Sequence, residues 1–283
     1  MSGFVVNVIG PGADPALFAA LGPVRELSPG FAFDIATDDA AALDAARAIA
    51  DGRPWDINRI ATANRRKALL VADMDSTIIN VECLDELADM AGLKPRIAAI
   101  TERAMRGELV FEAALKERVG MLKGLPLAAL EKTYAERVRL NPGAKSLLAT
   151  MRANGAHAVL VSGGFGFFTS RVAALAGFHE HYGNSLIDDG AALTGEVGLP
   201  ILGKEAKVET MQRTVAKLGI ANADVLAVGD GANDLGMITL AGMGVAYHAK
   251  PVVAAAAGAA IGHNTLEALL YLQGYDDGEI TRE

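Results

Sequence analysis

A short apolar run that stops at two carboxylates is the strongest constraint on how this chain folds. Residues Ala68-Leu69-Leu70-Val71-Ala72 end abruptly in Asp73-Met74-Asp75-Ser76-Thr77. A continuous apolar run of this length bounded by turn formers reads as a buried strand, and open α/β sheets place ligands beyond the carboxyl ends of such strands. Asp73 and Asp75 flank Met74, so both carboxyls can lie near one site, with the turn deciding where each points. Burying the pair without a cation or a proton is costly. Asp and Ser are also ordinary turn formers and helix caps. The segment alone therefore leaves a surface turn and a cation site as alternatives, and partners elsewhere in the chain must decide.

The sequence after this motif supplies a strand–helix rhythm. Four helical patterns follow it, at 82–90, 95–105, 111–121 and 127–138, punctuated by Gly92, Gly107 and Gly124, with Pro126 suited to a first helical turn. Then Ala144, Leu147, Leu148 and Met151 form one helical face behind Asn141-Pro142-Gly143. Apolar strands are expected at 158–161, 225–228 and 244–247, and helices at 167–175, 205–218, 234–240, 251–257 and 265–272. The stretches 191–197 and 199–202 read as a hairpin or as irregular strands. Apolar strands separated by helices argue for a parallel sheet covered on both faces. The four helices inserted after the first strand are expected to form a small bundle over its carboxyl edge.

The amino-terminal 64 residues read as a separate small α+β unit. Strands are expected at 4–9 and 31–35, helices at 15–21 and 38–50, and a linker at 52–64. Arg53, Arg59, Arg65, Arg66 and Lys67 are expected to be solvated bases, and nothing in the unit looks catalytic.

Three later strand ends can serve the Asp pair. Val161 runs into Ser162-Gly163-Gly164, where a hydroxyl and open backbone amides can hold a phosphoryl oxygen, although a plain glycine turn has the same composition. Lys207 starts a helix and is either a solvated base or a counter-charge. Gly229-Asp230-Gly231-Ala232-Asn233-Asp234 ends another strand in acid. There Asp230 suits a hard cation such as Mg²⁺, and Asp234 suits either a water of that ion or a helix amino terminus. A cation held by Asp73, Asp230 and nearby oxygens, with Lys207, Ser162 and glycine amides as further counter-charge, is what phosphoryl transfer requires. One carboxylate could attack phosphorus while the other gives a proton to the leaving alcohol. No G-x-G-x-x-G follows the first strand and no G-K-S/T is present, which excludes the common dinucleotide and nucleotide loops.

Composition narrows the partners. The formal charge of -8 excludes a broad basic face for nucleic acid but permits a local anion site. The lone Cys83 rules out an intrachain disulfide or a multi-cysteine zinc site and fits a reducing compartment. The amino terminus lacks the pattern of a secretory signal, and the apolar tract 251–261 is too short for a membrane span. A cytoplasmic location is expected.

With these motifs in place, residues 68–273 resemble the haloacid dehalogenase superfamily, and within it the phosphoserine phosphatases. The resemblance rests on Asp73-Met74-Asp75-Ser76-Thr77, Ser162-Gly163-Gly164, Lys207 and Gly229–Asp234, and on Asn80-Val81-Glu82, Thr101–Gly107, Phe111-Glu112 and Glu117-Arg118-Val119 in the insertion. It implies an α/β fold: a Rossmann-like parallel-sheet core (65–80 and 140–283), a helical-bundle cap (81–139) and a small amino-terminal α+β domain (1–64). It implies that Asp73 is nucleophile and metal ligand, and that Asp75 is general acid/base and gives the metal its backbone carbonyl. Ser162, Gly163, Lys207 and Asn233 would bind phosphate, and Asp230, with Asp234 in the outer shell, would complete the Mg²⁺ site. Glu82 would receive a substrate ammonium and Arg118 a carboxylate, with Met105 and Phe111 shielding the pocket.

The implied reaction is hydrolysis of O-phospho-L-serine to L-serine and phosphate, the last step of serine biosynthesis. Another small ester, such as phosphothreonine or homoserine phosphate, is the alternative, and a regulatory module on a phosphatase-like core is the non-enzymatic one. Self-association into a homodimer through the amino-terminal unit stays open.

Overall fold

The computed structural model describes residues 3–105 and 108–282, without the side chains of Ala104 and Met105. At the amino terminus β1 (Phe4–Ile9), β2 (Val24–Ser28), β3 (Ala32–Thr37) and β4 (Asp56–Ala61) form an antiparallel sheet in the order β2-β3-β1-β4. On one face α1 (Ala42–Ile49) and a 3-10 turn at Pro15–Leu21 pack Ala42, Ala46 and Phe18 against Val6, Val8, Phe33 and Ile35. The segment 15–21, expected to be a helix, is held in its tighter form by Asp14, whose carboxylate accepts from the Ala16 amide at 2.9 Å.

Two strands were not expected here. In β2, Arg25 and Glu26 are exposed, and the ladder slips between Glu26 and Ser28, so no apolar alternation marks it. The expected linker contains β4. Its polar Asp56 and Asn58 are buried, because they bond to the other end of the chain rather than to water.

The second sheet begins with β5 (Leu69–Ala72). Four helices follow: α2 (Cys83–Met90), α3 (Lys94–Met105), α4 (Phe111–Gly120) and α5 (Leu127–Arg137). The chain returns through α6 (Ala144–Ala153), β6 (His157–Phe165), α7 (Gly166–Ala176) and β7 (Glu180–Asn184). A hairpin of β8 (Leu186–Asp188) and β9 (Leu193–Val197) leads to α8 (Lys204–Leu218) and β10 (Val225–Gly229). The last elements are α9 (Leu235–Leu240), β11 (Met243–Tyr247), α10 (Pro251–Ala256), β12 (Ala259–Ile261) and α11 (Ala268–Leu272). The six strands lie in the order β12-β11-β10-β5-β6-β7, all parallel.

Strand alternation explains the two covered faces. Leu69, Val71, Val159, Val161, Val225 and Ala227 point toward Met211 of α8 and Met237 and Ile238 of α9. Their neighbours Leu70, Ala72, Ala158, Leu160, Leu226 and Val228 point the other way, toward Leu147, Leu148 and Met151 of α6. β5 is thus central and dry, and its carboxyl end meets those of β6 and β10. Residues 199–202 form no strand, since the Leu202 amide and carbonyl are taken by the Asn184 side chain.

The four helices stand over that carboxyl edge on a zipped stem. Ile79 and Leu140 pair as an antiparallel bridge, and the Asn80 amide donates to the Arg139 carbonyl at 3.1 Å. At its other end the insertion is tied to the β8–β9 hairpin. Gly124 N donates to Leu193 O at 2.8 Å, Leu193 N to Leu125 O at 2.9 Å and Leu127 N to Ala191 O at 3.0 Å.

The amino-terminal sheet is not tethered loosely. Its second face, with Val5, Ile9, Ala32 and Ile60, joins the main core beside α11, all five of whose residues are buried. Arg65, expected to be solvated, forks onto the buried Asp34 at 2.6 and 2.8 Å and also donates to Leu272 O and Tyr271 O at the end of α11. Lys67 is buried as well, with its ammonium on the Asn64 and Ala223 carbonyls at 2.5 and 2.7 Å. Each cation is held where its donors find oxygens, which offsets its desolvation.

Candidate active site

The chain leaves β5 in a wide turn, Met74–Ile78, extended at Asp75 and closed by the Ile79 amide on Met74 O at 3.0 Å. Ser76 occupies the left-handed region at φ 56, which a non-glycine residue adopts at a cost. This kink turns the Asp75 carboxylate back toward the cap, where it accepts from the Cys83 amide at 3.3 Å. It also lets the Ser76 hydroxyl donate to Glu82 Oε1 at 2.7 Å. Asp73 is 5% exposed. Its carboxylate meets the Lys207 ammonium at 2.7 Å.

Ser162-Gly163-Gly164 is a bulge within β6 rather than a turn after it. The ladder to β7 jumps from Val161–Tyr182 to Phe165–Asn184, which frees the intervening residues to face the site. The buried Ser162 hydroxyl accepts from the Gly164 amide at 2.9 Å, leaving its own proton to donate. A Cβ on Gly164 would sit 2.8 Å from Asp75 Oδ2, so only glycine lets the strand approach that carboxylate.

β10 supplies the third edge. Asp230 follows it, with the Thr77 hydroxyl 3.4 Å away, and Asp234, fully buried, accepts from the Gly231 amide at 3.0 Å and from Lys207 at 2.5 Å. Burial opposes the charge on Lys207, but the carboxylates of Asp73 and Asp234 outweigh it and hold the amine protonated. One cation shared between two buried acids cannot satisfy both. Burial and the Asp73 charge accordingly push the Asp234 carboxyl up to about 7.

Asp75 is affected more. Burial, then the charges of Glu82 and Asp73, push it up to about 8, so it carries a proton at neutral pH. Asp230 is raised for the same reasons, burial first and Asp73 second. The carboxylate oxygens of Asp73, Asp230 and Asp234 lie within 4.8 Å of one another. Three crowded acids facing one lysine are short of positive charge, and an all-oxygen donor set fits a hard divalent cation. The site can thus hold a metal ion.

These groups open into a cavity of about 190 Å³ lined by Asp73, Asp75, Glu82, Arg118, Ser162 and Asp230. Glu82 leans over its rim; shielding by the cap, and then the charges of Asp73 and Asp230, raise its carboxyl despite the Ser76 hydrogen bond. Arg118 sits on α4 with Nε on Ala114 O at 3.2 Å. Burial lowers its pKa against the opposing charges of Asp85 and Glu82. Phe111 closes the top: a Cβ on Gly163 would come within 3.2 Å of its Cζ. Asn233 is exposed at the rim and lines the same cavity.

Of the residues singled out from sequence, Asp73, Asp75, Glu82, Phe111, Arg118, Ser162, Gly163, Asp230 and Asn233 line this cavity. Lys207 and Asp234 lie directly behind Asp73. The Met105 side chain, and Arg106 and Gly107 entirely, lie outside the described residues. Sequence reasoning passed over Ser76 as a partner of Glu82, though the hydroxyl stands within the first motif. It also passed over the buried Asn184, which no motif spacing marks.

The model of the haloacid dehalogenase-like hydrolase family matches residues 70–239, the stretch from β5 to α9 that builds this site. A phosphoserine phosphatase from Polaromonas is 46% identical over 209 residues, covering 72% of this chain and 89% of that protein. One from Archaeoglobus fulgidus is 43% identical over 208 residues, and there the match takes in 74% of this chain but only 60% of the relative. The structure of a probable phosphoserine phosphatase from Vibrio cholerae superposes with a TM-score of 0.82 at 31% identity, over 95% of this chain and 86% of that one. That alignment is long enough to take in most of the amino-terminal sheet as well. By its motifs, its fold and these relatives, the chain belongs to the haloacid dehalogenase-like hydrolases, among the phosphoserine phosphatases.

Proposed function

We propose that this protein hydrolyses O-phospho-L-serine to L-serine and phosphate, as the names of its relatives suggest for them. The observation that carries the reading is the pairing, in one small cavity, of an anion-holding floor with an acid and a base on the cap. A phosphoserine zwitterion needs a receptor for its phosphate, one for its ammonium and one for its carboxylate. Glu82 offers the second and Arg118, through its planar fork, the third.

In the proposed reaction Asp73 attacks phosphorus through a carboxylate oxygen. The bond to the seryl oxygen breaks, and Asp75, protonated beforehand, gives that oxygen its proton. The resulting aspartyl-phosphate is hydrolysed when Asp75, now ionised, takes a proton from the attacking water and returns to its starting state. Ser162, the Gly163 amide, Lys207 and Asn233 hold the phosphoryl oxygens throughout. Mg²⁺ would be held by Asp73, the Asp75 carbonyl and Asp230, with Asp234 in the outer shell, and supplies charge neutralisation on the phosphoryl group. Phe111, with Met105, shields the cavity from bulk water.

Residues 81–139 act in this reading as the specificity cap, 65–80 and 140–283 as the catalytic core, and 1–64 as an accessory domain through which a homodimer could form. The lone cysteine supports a cytoplasmic setting. Among the described residues no helix is long and apolar enough to cross a membrane.

A substrate panel tests the proposal. O-Phospho-L-serine, O-phospho-L-threonine, homoserine phosphate and p-nitrophenyl phosphate are compared on the full chain in Mg²⁺ and in EDTA. The highest kcat/KM is expected for phosphoserine, and only with the metal. A preference for the ester lacking ammonium and carboxylate would remove the roles given to Glu82 and Arg118.

A further inference from the structure

We infer that Asn184 is a positioning residue for the phosphate half of the site, acting through the Ser162–Gly164 bulge and the segment that leads into α8. It lies at the end of β7 and is 1% exposed. Its carboxamide makes three hydrogen bonds: Nδ2 donates to Gly163 O at 2.8 Å and to Leu202 O at 3.1 Å, and Oδ1 accepts from Leu202 N at 2.7 Å. This set admits one orientation of the amide only, because a flip would set Oδ1 against two carbonyl oxygens.

The position explains the need. At the bulge the β6–β7 ladder lapses between Val161 and Phe165, so the part-buried Gly163 carbonyl has no partner in that ladder. Asn184 supplies the missing donor. The same side chain ties this bulge to Leu202, two residues before α8 begins at Lys204, and α8 carries Lys207. Asn184 therefore fixes the spacing between two groups that meet the phosphate from different elements: the Ser162 hydroxyl with its neighbouring amides, and the Lys207 ammonium. It touches neither substrate nor metal in this arrangement and sets where others stand. A misplacement of about 1 Å at such groups costs on the order of a hundredfold in rate.

The inference rests on the phosphomonoesterase reading but not on the identity of the alcohol, and its test is chosen accordingly. Asn184→Asp keeps the size and one acceptor while replacing the two N–H donors by a carboxylate oxygen facing two carbonyls. With p-nitrophenyl phosphate and O-phosphoserine, kcat/KM is expected to fall on the order of ten- to a hundredfold on both esters. Inhibition by orthovanadate, which occupies only the phosphoryl position, is expected to weaken in parallel, while inhibition by L-serine stays unchanged. If Asn184→Asp does not fold, Asn184→Ser, which keeps one donor and one acceptor on a shorter arm, takes its place with the same readouts.

A folded variant that retains wild-type kcat/KM and vanadate inhibition overturns the inference. So does an equal loss of vanadate and serine inhibition, which would mark a general loosening of the fold. In a double-mutant cycle, Ser162→Ala should cost less in the Asn184 variant than in wild type, and strictly additive losses would show that the two act independently. If wild type turns over p-nitrophenyl phosphate but not phosphoserine, the substrate assignment fails while the p-nitrophenyl phosphate and vanadate readouts of this test still stand.

Discussion

Replacing Lys207 by Met removes the one cation that stands between two buried carboxylates, at 2.7 Å from Asp73 and 2.5 Å from Asp234. The three side chains are 2%, 7% and 0% exposed, so water cannot take over the lost charge. Deleting one partner of a buried ion pair costs about 3–5 kcal/mol, because the charge left behind keeps its desolvation penalty. At roughly 2–4 °C per kcal/mol for a chain of this size class, the melting temperature in EDTA should fall by roughly 6–20 °C. A divalent cation, Mg²⁺ in the proposed site, would restore the positive charge that the lysine supplied, since it would bind among the same oxygens. Its stabilisation of the variant, read by thermal unfolding across a magnesium titration, should therefore exceed that of wild type.

Acidification should narrow the deficit as well. Asp234, already raised by burial and by the Asp73 charge, loses the lysine that lowers it, so its penalty is felt at high pH and vanishes once folded and unfolded states are both protonated. Turnover should be lost too, but that alone does not separate charge balance from phosphate binding. A Lys207→Met protein that melts in EDTA within about 2 °C of wild type, well below the shift expected from a buried pair, would refute the account of Lys207 as internal counter-ion. So would one that gains no more from Mg²⁺ than wild type does.

Three further outcomes can be measured. In the proposed reaction Asp75 must hold a proton to release the alcohol, and it sits at about 8, with Glu82 the largest charge raising it after burial; Glu82→Gln should lower that value and move the alkaline limb of the kcat profile to lower pH. An unmoved limb would show that another group donates the proton. Arg118→Ala should raise KM for phosphoserine by roughly 10- to 100-fold, the worth of a charged hydrogen-bonded pair, while leaving p-nitrophenyl phosphate within a fewfold; equal effects on both would remove its carboxylate role. Because Asp234 titrates near 7, Mg²⁺ binding should release protons and tighten from pH 6 to 8. Calorimetry in buffers of different ionisation enthalpy reads this directly, and a proton-independent binding heat would contradict it.

The strand ends that line the cavity were legible because their signals are local. Leu69–Ala72 and Val225–Gly229 are apolar runs closed by acids, and nothing beyond a few neighbours is needed to see where each stops. Lys207 was readable only by its order between two such ends. β4 was not readable: Asp56 and Asn58 look like linker residues because their partners, Gly262 and Ala260, stand 206 and 202 positions away. Arg65 misled for the same reason, since its carbonyl partners Tyr271 and Leu272 stand 206 and 207 positions away, and Lys67 because one of its two, Ala223, stands 156 away. Ser162–Gly164 has the composition of a turn, and only the register against β7 makes it a bulge. Asn184 carries no periodicity and no motif; its role exists in three distances.

The Asn58 side chain on β4 has a consequence for the fate of the chain outside its active site. Its carboxamide donates to Ala260 O at 3.0 Å and accepts from Ala260 N at 2.8 Å, so a side chain imitates a backbone neighbour along β12. β12 is the outermost strand on that side of the parallel sheet, and an open edge of this kind is a template for pairing with any other extended chain. The amino-terminal sheet thus covers part of an edge that would otherwise be open to pairing. A chain that lost it would be expected to keep its catalytic residues and lose its solubility first.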